Sequence, residues 1–136
     1  MQMSPYLTFN GQCEEAFKFY EKALGGKIVF MMTYGESPTA AQAPPEQHKW
    51  IYHASLAVGT QVLAGADPPP DQYRKPQGFC ISLNIGDVAE AERIFKALSE
   101  GAAVEMPLQE TFWASRFGML TDQFGTPWIV NCEKAM

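Results

Sequence analysis

No run of basic residues occurs in this chain: ten Lys and Arg are scattered among fifteen Asp and Glu, for a formal net charge of -5. Binding to phosphate backbones or anionic membrane surfaces therefore has no electrostatic support, and nucleic acid is not an expected partner. No apolar run approaches the roughly 18 residues of a membrane span, and Met1-Gln2-Met3-Ser4-Pro5 lacks the basic-then-apolar pattern of an export signal. The expectation is a soluble, cytoplasmic protein without a membrane partner. Cysteine is sparse as well. Cys13, Cys80 and Cys132 are odd in number, widely spaced and form no CxxC pair, which fits reduced thiols rather than a disulfide framework or a zinc site.

What the chain does contain is a repetition. The segment from Glu15 to Gly26 returns in outline from Glu90 to Gly101, each copy an amphipathic helix ended by glycine, preceded by one strand-like run and followed by three. The repeated unit reads β-α-β-β-β, over about residues 1–67 and 78–136, with a proline-rich linker at 68–77. A unit of about 65 residues buries too little surface to be comfortable alone. The fold class expected is α+β: paired βαβββ modules in one domain over 1–136, a curved mixed sheet around a cleft that suits a small ligand.

In the first module, strands are expected at Tyr6 to Phe9, Lys27 to Tyr34, Trp50 to Val58 and Gln61 to Asp67, with a helix from Cys13 to Leu24. Cys13, Phe17, Tyr20 and Leu24 form its apolar stripe, and Gly25-Gly26 stops it. Gly35 to Lys49 is a long connection that Pro44-Pro45 keeps irregular. The second module has strands at Phe79 to Ile85, Ala102 to Met106, Trp113 to Thr121 and Thr126 to Glu133, and a helix from Val88 to about Glu100 capped by Asp87 with Glu90 in a capping-box position.

Period two divides each strand into a greasy helix-packed face and an opposite face. Tyr52, Ala54, Leu56 and Val58 fall on the first, leaving Ile51, His53, Ser55 and Ala57 on the second. The same division leaves Cys80, Ser82 and Asn84, then Ile129, Asn131 and Glu133, then Tyr6 and Thr8. Small polar residues on the second face of a sheet are equally consistent with plain solvent exposure, and Asp67 beside three prolines reads as a turn residue ahead of a ligand.

Two motifs carry a resemblance. Pro5-Tyr6-Leu7-Thr8-Phe9-Asn10-Gly11 with Glu14-Glu15-Ala16 and Phe19-Tyr20, and Gln109-Glu110-Thr111-Phe112-Trp113-Ala114 leading to Phe117-Gly118, Asp122, Phe124-Gly125 and Pro127-Trp128, resemble the PhnB-like branch of the vicinal-oxygen-chelate superfamily. That superfamily includes glyoxalase I, bleomycin-resistance proteins and extradiol dioxygenases. The resemblance implies paired βαβββ modules, and in metal-dependent members four ligands, His or Gln on the first strands and Glu on the last. Here the first-strand positions fall near Ser4 or Pro5 and on Cys80, the last-strand positions within Ala64 to Ala66 and on Ile129. One thiol does not make a metal site, with Asp67 able to serve a corner only if its strand slips, so no cofactor is expected.

The expected ligand-binding residues are His53, Ser55, Asp67 and Cys80, together with Gln109, Glu110, Trp113 and Asn131. Gln109 and Glu110 stand just before a strand and Trp113 offers a ring to stack on, although the block is equally explained by core aromatics around a tight turn. Three functions remain open: a metal-free small-molecule binder, an enzyme of lyase, isomerase or dioxygenase type using His53 or Glu110 as base, and a structural dimerisation module. In each reading the chain is expected to be a homodimer, because short paired-sheet domains leave apolar edges.

Overall fold

The computed structural model describes residues 1–134 and divides into two compact units, Met1–Lys75 and Pro76–Met136. The last two positions of the expected second module lie outside the described residues. Both units have the β-α-β-β-β order that the repeat predicts.

The first unit holds β1 (Tyr6–Thr8), α1 (Cys13–Leu24), β2 (Lys27–Thr33), β3 (Ile51–Val58) and β4 (Gln61–Ala66). Its sheet runs β1-β4-β3-β2, with β1 parallel to β4 and the other pairs antiparallel. Helix α1 has the expected limits because its signals are local: apolar residues recur at helical spacing and Gly25 takes the left-handed cap at φ 71. Cys13, Ala16, Phe17, Tyr20 and Ala23 are its buried residues, and Leu24 stays half-buried rather than joining the stripe. The helix lies so close to β4 that a Cβ on Gly65 would stand 2.9 Å from the Phe17 ring.

The second unit holds β5 (Ile81–Asn84), α2 (Val88–Leu98), β6 (Ala103–Gln109), β7 (Ala114–Thr121) and β8 (Pro127–Glu133). The order β5-β8-β7-β6, with β5 parallel to β8, reproduces that of the first sheet. Asp87 caps α2 by accepting from the Glu90 N–H at 3.0 Å, and Ala91, Ile94, Phe95 and Leu98 face the core. Strand β6 continues three residues beyond the expected Met106, through Pro107, so Gln109 lies in a strand rather than just before one. A proline without an N–H is tolerated there because β6 is an edge.

One expected face assignment is corrected. Tyr52 is 40% exposed while Ile51 is buried, the reverse of the strict alternation. Pairing passes from Met32 with His53 to Thr33 with Ile51, so Tyr52 is an extra residue in β3, and the bulge turns it outward. Leu7, Ala54, Leu56, Trp128 and Val130 are buried as the alternation requires, whereas Phe79, expected on the apolar face of its strand, precedes β5 and is 51% exposed.

Candidate functional site

On the face of the first sheet away from Leu56 and Ala54, Tyr6 from β1 and His53 from β3 meet across the sheet. The Tyr6 hydroxyl and His53 Nδ1 are 3.1 Å apart, and the rings stack with centroids 5.7 Å apart and planes inclined by 28°. Phe30 from β2 closes the other side of the imidazole, its centroid also 5.7 Å away. Tyr6 and Phe30 remain 54% and 43% exposed, so the cluster presents a polar handle in an aromatic frame. Burial, with ionisable Cys13 and Tyr52 nearby, raises the Tyr6 phenol above its ordinary pKa, and the hydroxyl stays protonated at neutral pH. Ser55, two residues along β3, is half-buried and pairs with Ala64. Tyr6 was expected among the residues lining the cavity face, and Phe30 was not. Alternation placed Tyr6 on the right face, but nothing in the sequence marked Phe30.

Asp67 is a correction. It is 1% exposed, with Oδ1 accepting from Gly11 N–H at 2.9 Å and Cys13 N–H at 3.1 Å, and Oδ2 accepting from Ile51 N–H at 3.0 Å. Its own carbonyl accepts from the Tyr34 hydroxyl at 2.6 Å. The carboxylate thus caps the amino end of α1 from the end of β4, in place of the Gln12 side chain, which makes no capping bond. It is scaffold rather than a group offered to a ligand. Cys13 beneath it is equally withdrawn: burial first, then the Asp67 carboxylate, push its thiol far above the usual range and leave it unreactive.

In the second unit Asn84 and Asn131 lie opposite each other on the β5–β8 pair, Asn131 Nδ2 donating to Asn84 Oδ1 at 3.2 Å. Among the described residues the buried Asn131 Oδ1 atom has no hydrogen-bond partner, which leaves an acceptor open to a donor. Cys80 is exposed immediately before β5. In the β6–β7 connection, Thr111 Oγ1 accepts from Trp113 and Ala114 N–H, fixing a turn that holds Phe112 and Trp113 outward at 88% and 47% exposure. Glu110 pairs with Lys134 at 3.4 Å on the surface, where such a pair contributes little, and Arg116 pairs with Glu92 instead. Within its unit, then, the Gln109-to-Trp113 block forms an exposed aromatic turn whose acid already has a partner.

The equivalent strand pairings show which positions of the two units correspond. Phe9 N–H bonds Ala66 O as Ile85 N–H bonds Asn131 O, and Tyr6 pairs with Ala64 as Ser82 pairs with Ile129. Counting back along the first strands, Cys80 corresponds to Ser4 rather than Pro5, and Ile129 corresponds to Ala64. A hydroxyl, a thiol and two hydrocarbon side chains are not a donor set for a divalent ion, so the residues present do not fit the group. Among the described residues, no group of three or more His, Cys, Asp or Glu side chains is arranged to hold a metal.

Comparison with known proteins agrees with this topology. The model of the Glyoxalase/Bleomycin resistance protein/Dioxygenase superfamily matches residues 2–130. Protein YjdN of Escherichia coli (strain K12) is 34% identical over 142 residues, covering 98% of this chain and 97% of that protein. The crystal structure of protein PA1353 from Pseudomonas aeruginosa shares 48% identity and a TM-score of 0.90, with 99% of each chain covered. A PhnB protein from Bacillus cereus shares the fold at 22% identity and a TM-score of 0.82, with 97% of this chain and 99% of that one covered.

Proposed function

The chain belongs to the glyoxalase/bleomycin resistance protein/dioxygenase superfamily, and within it we propose a small-molecule-binding protein that does without the chelated metal of its catalytic relatives. The observation that carries this reading is the Tyr6–His53 pair: a hydrogen-bonded, stacked couple, partly exposed and walled by Phe30. A fixed polar pair against aromatic surface orients a small ligand, while flat rings supply most of the contact area. Ser55 beside it adds a hydroxyl to the same face.

The same hydrogen bond favours a second reading, an enzyme of lyase, isomerase or dioxygenase type. An imidazole whose Nδ1 is engaged by Tyr6 has a fixed orientation and keeps Nε2 for proton transfer. Turnover separates the two: a binder returns its ligand unchanged after incubation, an enzyme does not.

A library of small oxygenated and nitrogenous metabolites, screened by thermal melting, tests the binding reading. A ligand at about one hundred times its Kd is expected to add about 2.7 kcal/mol of stability. His53→Ala is expected to weaken that ligand about tenfold or more while leaving the melting temperature of the free protein close to wild type, since His53 is only half-buried. A ligand whose affinity is the same for wild type and His53→Ala removes this site from the proposal.

The homodimer and the cytoplasmic location belong to the proposal too. Val29 and Phe30 on the edge strand β2, and Val104 and Met106 on the edge strand β6, are exposed, an apolar edge of the kind that self-association covers. Sedimentation at micromolar concentration is expected to give twice the 15.1 kDa chain mass, and a pure monomer there counts against the dimer. All three cysteines are unpaired, in keeping with a reducing compartment. Among the described residues, no helix is long and apolar enough to cross a membrane.

A further inference from the structure

The connection between β2 and β3 and the proline segment after β4 border an open pocket of about 470 Å³ within the first unit. None of its lining residues belongs to the Tyr6, Phe30 and His53 cluster. Its volume lies within the roughly 300–1,000 Å³ typical of sites for drug-sized molecules. We infer that this cavity is a second binding site, for a planar ring compound that is uncharged or carries one positive charge.

The aromatic walls come from Tyr34 and Tyr52, which meet edge to face with centroids 5.4 Å apart and planes at 89°. An edge-to-face pair occupies one face of one ring, so ring faces remain for a flat ligand to stack on. Tyr34 is anchored by its hydroxyl bond to Asp67 O, and Tyr52 is turned outward by the β3 bulge. The bulge that upsets the alternation of β3 therefore supplies one wall of the cavity.

Pro44, Pro69 and Pro70 add flat, stiff apolar surface. The connection is tied to itself at several points: Ser37 Oγ donates to Tyr34 O at 2.8 Å, His48 Nε2 lies 3.0 Å from Ala43 O, and Gln47 N–H donates to Pro44 O at 2.9 Å. A wall built in this way loses little freedom when a ligand enters.

Polar character is supplied by the amides of Gln42 and Gln47, which match ring nitrogens and N–H groups in either sense, and by the Asp71 carboxylate. Among the described residues, Asp71 is the one charged member of the lining. The neighbouring Arg74 guanidinium bonds the carbonyls of Asp71 and Tyr73, at 3.5 and 3.1 Å, and does not line the cavity. An anion would meet a carboxylate and no cation, whereas a ring cation gains both the tyrosine faces and Asp71.

Three tricyclic probes of one shape test this at neutral pH: acridine, which is neutral, 9-aminoacridine, a cation, and acridine-9-carboxylate, an anion. Fluorescence titration is expected to show saturable binding of the first two, one per chain, and binding of the anion about tenfold weaker or less. Amide shift changes are expected at Tyr34, Gln47 and Tyr52 rather than at Tyr6 and His53. Tyr52→Leu should weaken acridine and 9-aminoacridine about tenfold, Asp71→Asn should weaken 9-aminoacridine alone, and His53→Ala should leave all three unchanged. Should Tyr52→Leu lower the melting temperature, Gln47→Ala decides, with a loss of about threefold or more expected. Equal binding of the anion, shifts centred on His53, indifference to both Tyr52→Leu and Gln47→Ala, or no saturation below about 1 mM overturns the inference. Because His53→Ala is silent here and decisive for the Tyr6–His53 site, failure of one site is distinguishable from failure of the other.

Discussion

Asp67→Ala is expected to destabilise the protein by about 3–5 kcal/mol, read as a lower urea midpoint at unchanged m-value. Three backbone N–H groups, from Gly11, Cys13 and Ile51, converge on this one buried carboxylate. Each buried donor left without a partner costs about 1–3 kcal/mol, and water entering the space recovers part of the sum. Asp67→Asn should lose less, about 2 kcal/mol, since its carbonyl keeps one set of bonds while its NH₂ faces a donor. The pH dependence has a definite sign. Burial holds the Asp67 carboxyl above its usual range, against the downward pull of the backbone N–H groups of Ile51, Cys13, Gly11 and Gln12. The folded protein therefore keeps this proton to a higher pH than the unfolded chain does. Between the ordinary and the raised pKa, this group's contribution to stability falls as pH rises, then levels off. Titrated stability curves should show that decline in wild type and lose it in Asp67→Asn. A loss below about 1 kcal/mol in Asp67→Ala would mean that the helix start is held by something else.

The second large effect is expected in the other unit. Trp128 is 1% exposed, and its indole N–H donates to Asp122 Oδ2 at 2.8 Å. The other oxygen of Asp122 accepts from the Phe124 and Thr126 N–H groups, so the ring and the turn support each other. Trp128→Ala opens a cavity and deprives the carboxylate of a donor, at about 3–5 kcal/mol. Trp128→Phe keeps most of the ring volume and should cost about 1–2 kcal/mol for the lost bond. Trp113 provides the contrast. It packs edge-on with Phe112 and Phe117 but is 47% exposed, so Trp113→Ala should cost about 1–2 kcal/mol. Equal losses for Trp113→Ala and Trp128→Ala would show that the exposed turn is core after all.

These two residues also mark what the sequence discloses and what it hides. Helix α1 was legible to its last residue because helical spacing and a glycine cap act within a few positions. The repeated strand order followed from counting elements in the two copies. Asp67 was misjudged as a ligand residue because its role depends on donors as distant as Gly11, 56 positions away, which no local pattern encodes. Tyr52 was placed on the wrong face because a bulge adds a residue without a sequence signature, and β6 ran on through Pro107 because an edge strand does not need that N–H. Among candidate site residues, alternation put His53 and Tyr6 on one face, but their hydrogen bond spans 47 positions and Phe30 arrives from a third strand. Glu110 looked free in sequence and is paired with Lys134.

The measurement closest to the central claim is native mass spectrometry of gently purified protein, for wild type and His53→Ala side by side, with metal analysis of the same samples. The expected result is a stoichiometric mass increment from an organic molecule on the wild type, greatly reduced in His53→Ala, with less than about 0.2 equivalents of divalent metal in either, since no adequate donor set is present. A wild-type increment equal to a divalent ion and held through desalting, or a bare chain that gains no organic ligand from any metabolite pool, would contradict it.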